Sequence, residues 1–343
     1  MAFLVGIDEA GFGPILGPLV VSSSTFSLPH RLIRADLWQI LRKSVGDRRR
    51  RLAGRLLIAD SKKAYRGPRP QKRAGGTQRP AEKPGKSVAI KHLERTVLAC
   101  LRCLHKEPAT LTELLMMLCP DFIERLGTYP WYEEAGSYDI LAGEADMTIA
   151  STVLKSNLAS NGIELLDLHS CCLDVAYYNK MVGSVKNKAN VLFTATSTLI
   201  KRAYDSFAGT EPADNELQIV VDRQGGRVRY RNSLQRMFPD MELKILCESP
   251  AASSYDLQAA GKEMRLHFVV GADERFLPVS LASMVSKYLR ELLVEKINRY
   301  FVGFHADLRP TAGYWKDGLR FIQELKTNIP HLKFDSNQLI RCR

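Results

Sequence analysis

Apolar and polar positions along this chain follow two periods, and the switches between them mark its elements. Phe3-Leu4-Val5-Gly6-Ile7 is an apolar run that ends on two acids, Asp8 and Glu9, and a buried strand is expected there. Leu217-Gln218-Ile219-Val220-Val221 ends the same way on Asp222, and Leu266-His267-Phe268-Val269-Val270 runs into Gly271-Ala272-Asp273. Helical spacing predicts helices over Val88–Leu104, Leu111–Leu126 and Asn190–Ala203; the last has Leu192, Thr196, Leu199, Ile200 and Ala203 on one side. Two more helices are expected over Val279–Tyr300 and Lys316–Leu325. A helix around Leu234–Phe238 and a strand at Glu242–Leu246 fill part of the stretch between Asp222 and Asp273. Strands alternating with helices predict an α/β fold. There is no internal repeat.

Composition narrows the class. A chain of 343 residues can be one large domain or two ordinary ones. Its 45% hydrophobic content is ample for a core, and no stretch approaches the roughly 20 apolar residues of a membrane span. The first apolar segment has no basic residues ahead of it, so we expect no signal peptide and a cytoplasmic protein without membrane contact. The seven cysteines are read as reduced and structural. Cys100-x-x-Cys103 falls in a helical pattern, and Cys171-Cys172 has no metal-ligand spacing to match it.

Charge is concentrated. The formal net charge is +12, yet between Arg48 and Lys91 fifteen Lys/Arg face two acids, Asp60 and Glu82, a surplus of thirteen. Within it, Arg66–Lys86 is dense in Pro, Gly and cations and poor in apolar residues, so a flexible basic loop is expected. A solvated linker and an arm for a phosphate backbone both fit that composition. The pI near 9.4 favours the arm.

Three apolar strands each ending in an acid is the informative coincidence. Any single acid reads as a cap or turn residue, but in open α/β sheets strand ends are where sites are built. Alternate strand residues face opposite sides, so Asp8 and Glu9 can serve one site only if the backbone bends at Glu9. Gly11 and Gly13 supply that freedom and let a ligand approach the backbone closely. Asp8, Glu9, Asp222 and Asp273 brought together would repel one another. Two divalent cations about 3.5–4 Å apart relieve such repulsion and suit in-line phosphodiester hydrolysis.

Gly6-Ile7-Asp8-Glu9-Ala10-Gly11-Phe12-Gly13-Pro14-Ile15-Leu16-Gly17-Pro18 resembles the opening motif of the type 2 ribonucleases H, the ribonuclease HII family. Five further segments resemble family motifs in the same order. They are Ala59-Asp60-Ser61-Lys62-Lys63, the Asn187–Tyr204 helix, Val220-Val221-Asp222, Gly271-Ala272-Asp273 with Ser280–Lys287 and Arg290, and Thr311-Ala312-Gly313-Tyr314.

The resemblance implies one ribonuclease H-like catalytic domain over 1–343, a central mixed β-sheet with flanking helices, with insertions at 106–153 and 227–264. It implies a divalent-metal-dependent endonuclease that hydrolyses the RNA strand of RNA/DNA hybrids, leaving 3′-hydroxyl and 5′-phosphate ends. Asp8, Glu9, Asp222 and Asp273 would hold two Mg²⁺ or Mn²⁺ ions. The backbone of Gly11, Phe12 and Gly13 would read a ribose 2′-hydroxyl, the group that tells RNA from DNA. Lys62, Ser283 and Lys287 would hold phosphates, and Tyr314 would stack past an RNA–DNA junction. The partner would be an RNA/DNA hybrid or ribonucleotide-containing duplex; nothing in the sequence names a protein partner.

Two departures stand out. The family places Arg between the two glycines where this chain has Phe12, which removes a charge-assisted phosphate contact but leaves the backbone ones. After Asp222 the family's D-G-N is replaced by Arg223-Gln224-Gly225-Gly226. Three rival readings share these residues: a nucleic-acid binder without turnover, a structure-selective DNA endonuclease, and a phosphohydrolase of small molecules. The Met and aromatic residues of 106–153, among them Met116, Met117, Trp131 and Tyr132, are expected to form a satellite core.

Overall fold

A computed structural model describes residues 1–50, 52–65, 86–133, 143–209, 216–259 and 261–342, so the loop expected at 66–86 lies, except for Lys86, outside the described residues. The strands are β1 (Ala2–Ala10), β2 (Leu19–Leu28), β3 (Val45–Gly46), β4 (Leu56–Leu57), β5 (Glu164–Leu173), β6 (Glu216–Asp222), β7 (Glu242–Glu248), β8 (Ala252–Ala259) and β9 (Lys262–Val269). The helices are α1 (Leu37–Ile40), α2 (Ser61–Ala64), α3 (Lys86–Cys103), α4 (Leu111–Leu118), α5 (Pro120–Leu126) and α6 (Glu144–Ser160). They continue with α7 (Val175–Val185), α8 (Lys188–Phe207), α9 (Arg231–Met237), α10 (Leu277–Phe304), α11 (Trp315–Asn328) and α12 (Ser336–Leu339).

Seven strands form one sheet in the order β5-β2-β1-β6-β9-β8-β7. Strand β2 is antiparallel to both neighbours, while β1, β6 and β9 run parallel side by side. A hairpin, β8 and β7, extends the sheet beyond β9. Period-two alternation in β1 sends Leu4 to one core and Val5 and Ile7 to the other. The first core takes residues of α3, α4, α6 and α10, and the second takes residues of α7, α8 and α9. This is a central mixed sheet with helices on both faces, as expected. None of the described helices is long and apolar enough to cross a membrane.

Helix α10 lies across β1 so closely that a Cβ on Gly6 would come within 2.2 Å of the Pro278 carbonyl carbon. Glycine at position 6 is what lets the helix reach the sheet. Polar atoms fix it there: Ser24 donates to the Pro278 carbonyl at 2.7 Å, and Ser286 donates to the Asp8 carbonyl at 3.0 Å. The Ser286, Ser22 and Ser170 hydroxyls form a buried chain with both links at 2.8 Å.

Some expectations change. The helix expected over Leu111–Leu126 is two helices, because Pro120 cannot continue the first and instead opens the second. Strand β2 has Ser22-Ser23-Ser24-Thr25 at its centre, which hides it from any hydrophobic pattern although every residue is buried. Strand β8 likewise gave no clear signal. Trp131 and Tyr132 belong to the main core rather than a satellite: the Trp131 ring packs on Tyr300 and Phe301 of α10, while Met116 is exposed. All seven cysteines are free thiols. Two of them, Cys247 and Cys342, are exposed rather than part of the core.

Candidate active site

The site is built where parallel strands end. Strand pairing in β1 continues through Ala10, opposite Val20, so the bend comes at Gly11, with φ of 92°, and not at Glu9. Ile7 is level with Val221 of β6. The next residues on these two neighbouring strands, Asp8 and Asp222, therefore sit at one height. Asp222 pairs in turn with Val269 of β9. Two residues on, Gly271 takes left-handed backbone (φ 62°) and opens the 3-10 turn Ala272–Glu274 that carries Asp273. The Ala272 N–H donates to Asp222 Oδ1 at 2.7 Å, and the Glu9 N–H donates to Asp8 Oδ1 at 2.7 Å. Ser280 of α10 donates to the Asp273 carbonyl.

The four carboxylates act on one another. Burial, then the charges of Glu9 and Asp222, push Asp8 well above the usual carboxylate range; a hydrogen bond with Ser283 pulls the other way. Burial and the Asp222 charge raise Glu9 to about 7. Burial, then Asp222 and Asp60, raise Asp273 to about 6. Asp222 is raised by burial, against hydrogen bonding from Ala272 and the charge of Lys62. Lys62 faces the same cluster. Burial works against its charge, but Asp60, Asp273, Asp8 and Asp222 outweigh that and raise its pKa.

Hard carboxylate oxygens are the donor set a divalent cation such as Mg²⁺ or Mn²⁺ takes. Among the described residues no three His, Cys, Asp or Glu side chains stand close enough together to hold an ion by themselves. The residues fit a cation that keeps several waters and accepts substrate oxygens, which is how Mg²⁺ is usually bound at phosphate sites. They do not form an all-protein cage.

The other expected site residues fall into two groups. Gly11, Phe12, Gly13 and Tyr314 lie on adjoining loops, since the Gly313 carbonyl accepts from the Ile15 and Leu16 N–H groups at 2.8 and 3.2 Å. Tyr314 is 53% exposed, and its ring lies 5.9 Å from the Arg290 guanidinium. Lys188 at the start of α8 sits 5.3 Å from the Phe12 ring. Ser283 and Lys287 turn inward instead. Ser283 is buried and donates to Ser61 Oγ at 3.0 Å. Lys287 donates to Glu291 at 2.7 Å and covers the Tyr65 ring at 4.6 Å.

Three residues join the site without having been assigned a role there. Asp60 caps α2, accepting from the Lys62 N–H at 2.9 Å, and hydrogen-bonds with Asp273. It stands within the Ala59–Lys63 segment, but capping is the ordinary use of an Asp before a helix. Arg290 is 1% exposed and donates to the Leu16 and Ala312 carbonyls at 3.3 and 2.9 Å. Arg341 donates to the Gly11 carbonyl at 2.5 Å. Burial, then repulsion from Arg290, lowers Arg341 to about 9. No local pattern around residue 341 could have pointed to it.

No family model matches the chain, and no curated protein matches it. Solved structures do. The ribonuclease HII of Archaeoglobus fulgidus, in its complex with PCNA, is similar at 12% identity and a TM-score of 0.42, over 99% of this chain and 94% of that one. The ribonuclease H2 of Pyrococcus horikoshii OT3 is similar at 13% identity and 0.37, over 98% and 92%. The ribonuclease H3 of Aquifex aeolicus is similar at 15% identity and 0.38, over 98% and 71%.

Proposed function

We propose that this protein is a divalent-metal-dependent endonuclease that hydrolyses the RNA strand of RNA/DNA hybrids, leaving 3′-hydroxyl and 5′-phosphate ends. One observation carries the reading: Asp8 and Asp222 sit at one height on adjacent strands, with Glu9 beside Asp8 and Asp273 on the turn after β9, and Asp222 raises the pKa of the other three. Such a cluster is costly unless cations compensate it. Asp8, Glu9, Asp222 and Asp273 would hold Mg²⁺ or Mn²⁺. Bound there, the ions would supply a water of lowered pKa and charge stabilisation at the phosphate.

The chain's own groups do the rest. Lys62 places a cation beside the acids, where a scissile phosphate would bring negative charge. The backbone from Gly11 to Gly13 offers close approach to a ribose, and Tyr314 offers an exposed ring for stacking. A second reading, a nucleic-acid binder without turnover, draws on the lack among the described residues of three acids close enough to hold an ion.

Cleavage of three labelled duplexes in Mg²⁺ and in Mn²⁺, with Asp8→Asn as control, tests the proposal. One duplex pairs a full RNA strand with DNA, one carries a single ribonucleotide, and one is all DNA. Cutting of the first, lost in Asp8→Asn, is expected. Binding of the hybrid without cutting would leave the second reading, and cutting of the all-DNA duplex would make it a DNA endonuclease. Cutting of the single-ribonucleotide duplex reports whether junction recognition survives with Phe12.

A further inference from the structure

Arg341 is a guanidinium shut inside the protein with most of its hydrogen-bonding capacity unused. Its residue is 3% exposed, and Nε and Nη1 are buried without a partner among the described residues. Among the described residues, those whose charge acts on it most are Arg290, Tyr178 and Cys342, none of them a carboxylate. Its ring partner is Tyr178, 5.0 Å away. An arginine so placed carries a heavy desolvation cost with little direct return to stability. Among the described residues its side chain makes one hydrogen bond, to the Gly11 carbonyl at 2.5 Å.

That carbonyl belongs to the Gly11–Phe12 peptide. In a trans peptide the C=O and N–H point in opposite directions. With the carbonyl fixed on the buried guanidinium, the Phe12 N–H is turned away from Arg341. No described group accepts from that N–H. A cation on the carbonyl also polarises the peptide and strengthens the N–H as a donor. The loop has little room to turn otherwise. Gly11 has φ of 92°, and a Cβ there would lie 2.6 Å from Arg290 Nε and 2.7 Å from the Pro18 carbonyl oxygen. The main chain on either side of Arg341 is tied down as well: its N–H donates to the Ile15 carbonyl at 2.8 Å, and Ile340 bridges to Leu16.

We propose that Arg341 is a positioning residue for substrate recognition: it aims and polarises the Phe12 N–H so that this amide donates to a ribose hydroxyl of the bound strand. The proposal rests on the nuclease reading above. It adds a residue 330 positions away in sequence to the loop that distinguishes ribose from deoxyribose.

Arg341→Met, which keeps the volume and removes the charge and donors, is the test, with Arg341→Lys as the conservative variant. Affinities for an RNA/DNA hybrid and for DNA/DNA of the same sequence are measured by fluorescence anisotropy in EDTA, beside the melting temperature of each protein. Wild type is expected to prefer the hybrid. Arg341→Met should fold with an unchanged or higher melting temperature, bind DNA/DNA as wild type does, and lose about tenfold in hybrid preference. Arg341→Lys should recover part of that loss. In ¹⁵N–¹H spectra the Phe12 amide should move upfield in Arg341→Met and partly return in Arg341→Lys. An undiminished preference in a folded Arg341→Met protein overturns the positioning role and leaves the nuclease reading standing. A wild type with no hybrid preference overturns the ribose reading, and this inference with it.

Discussion

Asp8 is buried, and the three acids around it are only partly so, yet all four hold their protons longer than free carboxylates do. The consequence for stability has a definite sign. A carboxyl raised in the folded state binds protons that the unfolded chain has already lost, so its contribution favours folding below the ordinary carboxylate range and is lost as pH rises through the folded value. That loss runs from about pH 3.8 to about 6 for Asp273 and from about pH 4.5 to about 7 for Glu9. The metal-free protein is therefore expected to melt lower at pH 8 than near pH 5.5. Millimolar Mg²⁺ should raise the melting temperature at pH 8 and do little near pH 5.5. Scanning fluorimetry at both pH values checks this, and equal Mg²⁺ shifts would argue against a cation among these acids. Asp8→Asn should abolish cleavage and keep nucleic-acid binding. In the metal-free state at pH 8 it should melt roughly 2 °C or more above wild type, because it removes a repelling charge. Such a trade between stability and activity is the mark of a site held in a costly arrangement. These acids were legible in the sequence because each ends an apolar run. Asp60 and Arg341 were not, since one looks like a helix cap and the other lies in no pattern at all.

Among the elements, the contact between β1 and α10 governs the site, for it seats Asp8 against Ser286 and Asp273 against Ser280. Gly6→Ala would drive a methyl group into the Pro278–Val279 backbone. It is expected to destabilise the protein by about 3 kcal/mol or more, and an unchanged denaturant midpoint would contradict the packing described. Ser286→Ala is a gentler probe. It takes the donor from the Asp8 carbonyl and breaks the hydroxyl chain at Ser22, at about 1–2 kcal/mol in urea unfolding. The same contact explains what sequence could and could not convey. β1, β6 and β9 announce themselves by their apolar runs, and α10 by its period. β2 does not, because its central Ser and Thr residues are buried through hydrogen bonds to β5 and α10 rather than through apolar packing. The split between α4 and α5 was available from Pro120, a local signal that the continuing apolar spacing masked.

For the whole molecule, the strand order and directions follow from which runs pair, and pairing is a long-range property no local pattern encodes. The alternation of elements nevertheless predicted the α/β class, and the family resemblance added a central mixed sheet with flanking helices but no strand order. Electrostatics enters at this scale too. Residues 66–86 carry seven Lys/Arg and one acid, half of the chain's net charge of +12. Their deletion is expected to weaken nucleic-acid binding at low salt and to flatten the slope of log affinity against log salt. An unchanged slope would mean that these cations do not meet phosphates.

The clasp between Arg341 and the Gly11 carbonyl joins residues 330 positions apart. A contact of such sequence separation forms only after its closure entropy has been met. The loop after β1 is therefore set late in folding, once the strands that carry it have paired.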